Sequence, residues 1–289
     1  MNFQATLFGT VAIALWSCLA LLTAASGAMP PFQLAAVTFA IGGALGLAFA
    51  AWRGTLDNLR QPWRVWALCV GGLFGYHALY FAALRQAPAA EAGLIAYLWP
   101  LLIVLLCAML PGESLRPRHV AGALLGLAGV ATLLLSAKLA KGEGFGLEPR
   151  FATGYALAFV CAFVWAIYSV ASRAFKAVPT DAVAGFCLAT AALALVSHLL
   201  FEATVWPDSA RQWLAIAGLG LGPVGLAFYV WDHGVKRGDI KFLGVASYAA
   251  PVLSTIMLVL AGYAQATWGL ALACVLIAGG ALLAARGND

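Results

Sequence analysis

A chain of 289 residues, 64% of them hydrophobic and 9% charged, with a mean hydropathy of +0.94, has too little charge to solvate a water-soluble domain, which carries roughly a quarter charged residues. Most of its surface is therefore expected to face a lipid bilayer. The net charge of +5 comes from basic residues scattered one to three per loop. That scatter builds no nucleic-acid face and fits membrane orientation instead. Cys18, Cys69, Cys107, Cys161, Cys187 and Cys274 all fall inside apolar runs without CxxC or His/Cys ligand spacing. They predict small buried hydrophobes, with no disulfide framework, metal site or cofactor.

A spanning helix needs about 20 apolar residues, because an ionised side chain at the bilayer centre is costly. Charged residues therefore punctuate the chain. Residues 1–52 contain none, and this double-length run divides at Gly27-Ala28-Met29-Pro30-Pro31, where paired prolines end a helix. Lacking a basic start and continuing into a second helix, it reads as a helical hairpin rather than a cleaved signal peptide. Single-length runs follow at 65–84, 92–112, 119–137, 151–172, 182–201 and 212–231. The last run, 242–285, is double again and divides weakly near Gly262-Tyr263-Ala264-Gln265. The prediction is an all-α polytopic membrane protein of ten transmembrane helices.

The lysines and arginines set the orientation. With the N-terminus inside, the cytoplasmic segments hold Arg53, Arg60, Arg64, Arg116, Arg118, Arg173, Lys176, Lys236, Arg237, Lys241 and Arg286. The outer loops hold only Arg85, Lys138, Lys141, Arg150 and Arg211. Both termini are expected in the cytoplasm.

The halves echo one another about 150 residues apart: Leu15-Trp16 with Val164-Trp165, Gly93, Tyr97 and Pro100 with Gly244, Tyr248 and Pro251, and Ala128-Gly129 with Ala278-Gly279. This predicts one five-helix repeat over 1–140, a connecting loop over 141–150 and a second repeat over 151–289. Five is odd, so the second copy enters the membrane upside down. Inverted repeats are how many transporters build two exchangeable conformations around a site at the midplane. Pro100 and Pro251 fall near the middle of corresponding spans, as candidate breaks or hinges. Each frees a carbonyl about one turn earlier, near Ala96 and Ser247, which must face a cavity or a neighbouring helix.

Helical spacing sorts side chains onto faces. His77 and Tyr80 lie three apart, as do Trp165 with Tyr168, Phe228 with Trp231, Tyr97 with Pro100 and Tyr248 with Pro251. If these faces converge, His77, Tyr80, Tyr97, Trp99, Trp165, Tyr168, Trp231, Ser247 and Tyr248 line an aromatic cavity with a few hydroxyls. It would suit a zwitterion with a large apolar side chain, each ring pair adding about 0.5–1.5 kcal/mol beyond burial. An ammonium can sit over a ring face, and a carboxylate can take hydroxyl or His donors. Trp16 reads equally as packing or lining, and Tyr76 and Tyr229 stay open. Trp52, Trp63, Trp66, Trp206, Trp213 and Trp268 are assigned to interfacial belts and His198 to packing. Asp232 reads either as a solvated end carboxylate paired with Lys236, or as a gate or coupling group, alone or with His233. Gly42-x-x-x-Gly46, Gly71-x-x-x-Gly75, Gly122-x-x-x-Gly126 and Gly218-x-x-x-Gly222 predict close helix packing within the chain, with a dimer face as the alternative.

Leu15-Trp16-Ser17, Tyr97-Leu98-Trp99-Pro100, Phe163-Val164-Trp165-Ala166-x-Tyr168 and Ser247-Tyr248-x-x-Pro251, in this order along nearly the whole chain, resemble the EamA branch of the drug/metabolite transporter superfamily. Tyr97-Leu98-Trp99-Pro100 and Trp231-Asp232-His233-Gly234 are most similar to its bacterial exporters of aromatic amino acids. The resemblance implies ten helices with cytoplasmic termini, a central cavity lined by the first, third, fourth, sixth, eighth and ninth, and export of amino acids across the inner membrane. Asp232 departs from the family pattern, which has Asn there, and leaves ion coupling open. An exporter of drug-like or cationic metabolites is the alternative, but it should need a carboxylate well inside a span, and none is evident. An enzyme is not expected: no nucleophile–base pair, paired carboxylates, or His-Glu-x-x-His stands at membrane depth. Nor is there a Gly-x4-Gly-Lys-Ser/Thr loop for ATP. A duplicated ten-helix chain can work as a monomer.

Overall fold

The computed structural model describes residues 2–112, 114–144 and 146–285. Among these, ten helices are long and apolar enough to cross a membrane: Phe3–Ala25, Pro31–Trp52, Trp63–Gln86, Ala89–Met109, Pro117–Ala140, Pro149–Phe175, Thr180–Phe201, Ala210–Arg237, Ile240–Leu260 and Trp268–Ala285. They are referred to below as the first to tenth spans. The described residues contain no strand.

Local chemistry sets the boundaries. Proline stands at or just before the start of the second, third, fourth and fifth spans, where its missing N–H costs nothing. The Asn2 side chain accepts from the N–H groups of Gln4 and Ala5 and so caps the first span. Gly27 and Gly262, at φ +83° and +78°, make the left-handed turns between the first and last helix pairs, a conformation glycine adopts without strain.

Polar contacts sort the helix ends onto two faces. Asn2 N–H bonds Arg237 O, and Asp239 N–H bonds Thr6 Oγ1. Asn58 donates to Asp181, and Arg173 to Gly238 O, on this same Asn2 face. On the opposite face Lys138 meets Glu91 at 2.6 Å, and Glu202 accepts from the N–H groups of Phe32 and Gln33 and from Arg85. His198 joins Glu202 there at 3.1 Å. That buried polar knot ties the second, third and seventh spans, so His198 does more than pack. Arg286, counted above among the inner cations, lies outside the described residues.

The four most extensive packing pairs are second with seventh, third with sixth, first with eighth, and fifth with tenth. Exchanging each span with the one five places along maps this scheme onto itself. The fourth span breaks into Ala89–Ala96 and Trp99–Leu106, and the ninth into Ile240–Ala246 and Ala249–Leu260. Both gaps lie one turn before the proline, at the positions expected. The liberated Ser247 carbonyl is reclaimed by Ala250 N–H at 3.1 Å rather than left to a cavity.

Two interruptions went unforeseen. The first span steps at Cys18, and the eighth carries a π turn over Gly222–Leu226. At that turn a Cβ on Gly42 would lie 2.6 Å from Gly225 Cα. Backbone meets backbone there, which only glycine on both sides permits. Trp52, Trp63, Trp206, Trp213 and Trp268 are exposed at helix ends, as a belt requires. Trp66 differs: it is packed edge-on to Phe186 at 5.0 Å.

Candidate substrate site

The first, second, third, fourth, sixth and eighth spans bring their aromatic residues to one centre. Trp16 is the hub, with ring centroids 5.0 Å from Trp231, 5.7 Å from Trp165, 6.3 Å from Phe228 and 6.4 Å from Trp99. Phe39 stacks on Phe228 at 5.3 Å and meets His77 edge-on at 5.1 Å. Tyr76 joins Trp165 to a stacked Tyr80. Edge-to-face and offset contacts dominate, the arrangement the ring quadrupole favours.

Burial divides this cluster by depth. Trp16, Tyr76, His77, Tyr80 and Tyr97 keep partial exposure. Trp99, Trp165, Phe228 and Trp231 are almost wholly covered. The accessible residues of the third span lie in its half nearer Gln86, on the face opposite Asn2. Toward the Asn2 face the rings close over one another. His77 Nδ1 is 2.7 Å from Leu73 O of its own helix, which fixes the ring. The Trp231 indole N–H donates to Ser169 Oγ at 3.2 Å.

The structure brings His77, Tyr80, Trp99, Trp165 and Trp231 together at the centre, sets Tyr97 against the neighbouring core of the fourth, fifth, ninth and tenth spans, and buries Tyr168, Ser247 and Tyr248. Tyr168 is buried between the third and sixth spans, its ring pressed on Gly72. Ser247 is fully covered and donates to Leu243 O at 2.7 Å. Tyr248 is also fully covered: its hydroxyl accepts from Leu101 N–H at 3.2 Å and its ring packs on Gly126. It thus caps the second segment of the broken fourth span, joining the two breaks around Pro100 and Pro251. Tyr168 also meets Trp165 at 5.2 Å and so backs the cluster, while Tyr248 faces the fourth and fifth spans.

Asp232 is not a solvated helix end. It is 1% exposed, with Lys236 Nζ 2.7 Å from one oxygen and Thr180 Oγ1 donating to the other at 3.0 Å. Lys236 also donates to Val178 O. His233 stands apart from this group, edge-on to Phe8 and 2.8 Å from Arg237. A cavity of about 620 Å³ on the Asn2 face is lined by Asn2, Leu110, Arg173, Lys176, Lys236 and Arg237 among others. Among the described residues no group of three or more His, Cys, Asp or Glu could hold a metal ion.

Two central residues escaped the sequence reading. Phe39 has no polar or proline signal beside it, and Thr180 begins a span in an ordinary helix-start context. Trp16, Tyr76 and Phe228 were visible as aromatics but not as a joined set.

Ten apolar helices around an aromatic centre, with buried charge confined to the helix ends, make this a multi-pass helical membrane protein. The chain belongs to the EamA-like transporter family, whose profile matches it twice, over residues 4–135 and 152–286. It is 61% identical over 282 residues to the Aromatic amino acid exporter YddG of Ancylobacter novellus, covering 97% of this chain and 96% of that one. The Salmonella typhimurium protein of the same name is 30% identical over 268 residues, covering 88% and 87%. A crystal structure with 59% sequence identity superposes with a TM-score of 0.94, over 99% of this chain and 97% of the other.

Proposed function

We propose that this protein exports amino acids, aromatic and other large neutral ones foremost, across a bacterial inner membrane by alternating access. The observation that carries the reading is the central aromatic cluster, accessible in the half opposite Asn2 and closed toward Asn2. The partly exposed rings of Trp16, Tyr76, His77, Tyr80 and Tyr97 offer a planar apolar side chain favourable ring contacts. The two relatives named above, both called aromatic amino acid exporters, support the substrate class.

The excess of Lys and Arg in the segments on the Asn2 face supports cytoplasmic termini. With that orientation, the partial exposure of the half opposite Asn2 supports an outward-facing state. Two five-span repeats, 1–140 and 151–289 around the 141–150 loop, are supported by the paired family matches and by the packing scheme that survives a shift of five. In the inward-facing state the Asp232–Lys236–Thr180 seal parts and cargo enters from the cytoplasm. Asp232 acts as a gate group, without His233. The chain works as a monomer.

The test is counterflow of labelled phenylalanine or tryptophan in liposomes holding the purified protein, with and without a pH gradient. Saturable uptake, lost in Tyr97→Ala while the variant stays monodisperse, is the expected outcome. No uptake of any amino acid by folded protein would overturn the reading. A component driven only by the pH gradient and absent in Asp232→Asn would make that residue a coupling group as well.

A further inference from the structure

The Trp16 indole N–H donates to the backbone carbonyl of Pro223, at 3.1 Å, across to the eighth span. That carbonyl belongs to the π turn Gly222–Leu226, after which Ala227 N–H bonds Gly222 O, five residues back. π turns inside α-helices are points where the register can change, and they concentrate at functional sites. Pro223 removes one donor from the ladder and the flanking glycines remove steric resistance, so the eighth span is weakest here.

The turn is held from two sides. On one, Gly42 of the second span abuts Gly225, and the Tyr229 hydroxyl donates to Gly42 O at 3.1 Å. On the other stands Trp16, with Leu15 beside it against Gly222. Its ring touches Trp99, Trp165, Phe228 and Trp231, while part of it stays exposed among the accessible residues. Trp231 and Asp232 follow the turn on the same helix, within about two turns of it. One partly exposed side chain therefore contacts the covered rings of the cluster, the turn, and the helix segment that bears Asp232.

We propose that Trp16 is a positioning residue of the transport cycle. Its N–H holds the eighth-span turn in the outward-facing register, and a ring entering the cluster displaces the indole, frees Pro223 O and lets the segment bearing Asp232 swing. The proposal rests on the transport reading above. It differs from a simple lining role in what it predicts, because a bond that cargo must break opposes binding: losing it should tighten apparent affinity, whereas losing a lining contact should weaken it.

The experiment compares wild type with Trp16→Phe, which keeps a ring and removes the donor. Hydrogen exchange in nanodiscs is followed in peptides covering 227–238 and 63–86, alongside half-saturation and maximal rate of phenylalanine counterflow. Losing one neutral hydrogen bond from one state shifts a two-state equilibrium about five-fold. Exchange over 227–238 is expected to rise by about that factor, with 63–86 unchanged. The maximal rate should change and half-saturation should fall, by up to about five-fold, where loss of a lining contact would raise it. Pro223→Ala, which restores a ladder donor and favours α register, should move exchange over 227–238 too, and the double variant should add nothing further. Wild-type exchange in Trp16→Phe, or a loss of affinity that accounts for the whole loss of rate, would overturn the proposal. If Trp16→Phe does not fold, unchanged exchange in Pro223→Ala overturns it. Absence of amino-acid uptake by wild type would sink the transport reading instead, while the exchange comparison still reports on the turn.

Discussion

Lys236 Nζ and Asp232 Oδ1 sit 2.7 Å apart, one helical turn from each other, with side-chain exposures of 3% and 1%. Two charges so far from water are held by each other and by the Thr180 hydroxyl and the Val178 carbonyl. Removing one partner strands the other, which costs about 3–5 kcal/mol in buried pairs, whereas removing both is often close to neutral. Asp232→Asn should therefore lower the thermal midpoint in detergent strongly. Asp232→Asn combined with Lys236→Met should recover most of the loss. Equal midpoints for the single and double variants would show that the pair is not shielded as described.

Tyr248 provides a test of lining against capping. Its hydroxyl accepts Leu101 N–H at the break of the fourth span and its ring is fully covered. Tyr248→Phe leaves that N–H without its partner, at a cost of about 1–3 kcal/mol. The expected result is a lower melting midpoint with phenylalanine affinity retained. Affinity lost at unchanged stability would return Tyr248 to the cavity wall.

Glu202 organises the opposite face, accepting from two N–H groups at the start of the second span and from Arg85 and lying beside His198, at 2% side-chain exposure. Glu202→Ala should cost about 3 kcal/mol or more, since it orphans buried donors and a helix start together. Glu202→Gln keeps acceptor capacity and should cost less. The order of melting midpoints, wild type above Gln above Ala, checks this.

Two glycines of similar appearance should behave oppositely. A Cβ on Gly42 would meet Gly225 Cα at 2.6 Å, and neither backbone can yield easily. Gly42→Ala should destabilise by about 1–3 kcal/mol. At Gly71 a Cβ meets nothing within 4 Å, so Gly71→Ala gains helix propensity and should be neutral or stabilising by up to about 1 kcal/mol. Melting midpoints of the two variants decide it.

Within the fold, the ten spans and the breaks before Pro100 and Pro251 were legible because charge, length and proline act locally along the chain. The π turn at Gly222-Pro223 carried a visible glycine–proline signal, yet it lay inside an unbroken apolar run and read as an ordinary helix. Within the site, period-three spacing put His77, Tyr80 and Trp165 on faces that the structure brings into one aromatic cluster. The same spacing could not tell that Tyr168 is buried behind Trp165 or that Tyr248 faces the fourth span, since periodicity identifies a face without naming the helix it meets.

The sequence by itself determined that this chain lives in a membrane, how often it can cross, where its helices yield, and which aromatics were available to a central site. These follow from the cost of burying charge and from missing backbone donors, both properties of single residues. Only the tertiary structure decided that Trp16 is the hub, that Asp232 is sealed with Lys236 and Thr180, and that Phe39 belongs to the cluster. Those facts depend on which helix faces which, and among spans that are apolar all round, close backbone approach and ring packing make that choice rather than any pattern along the chain.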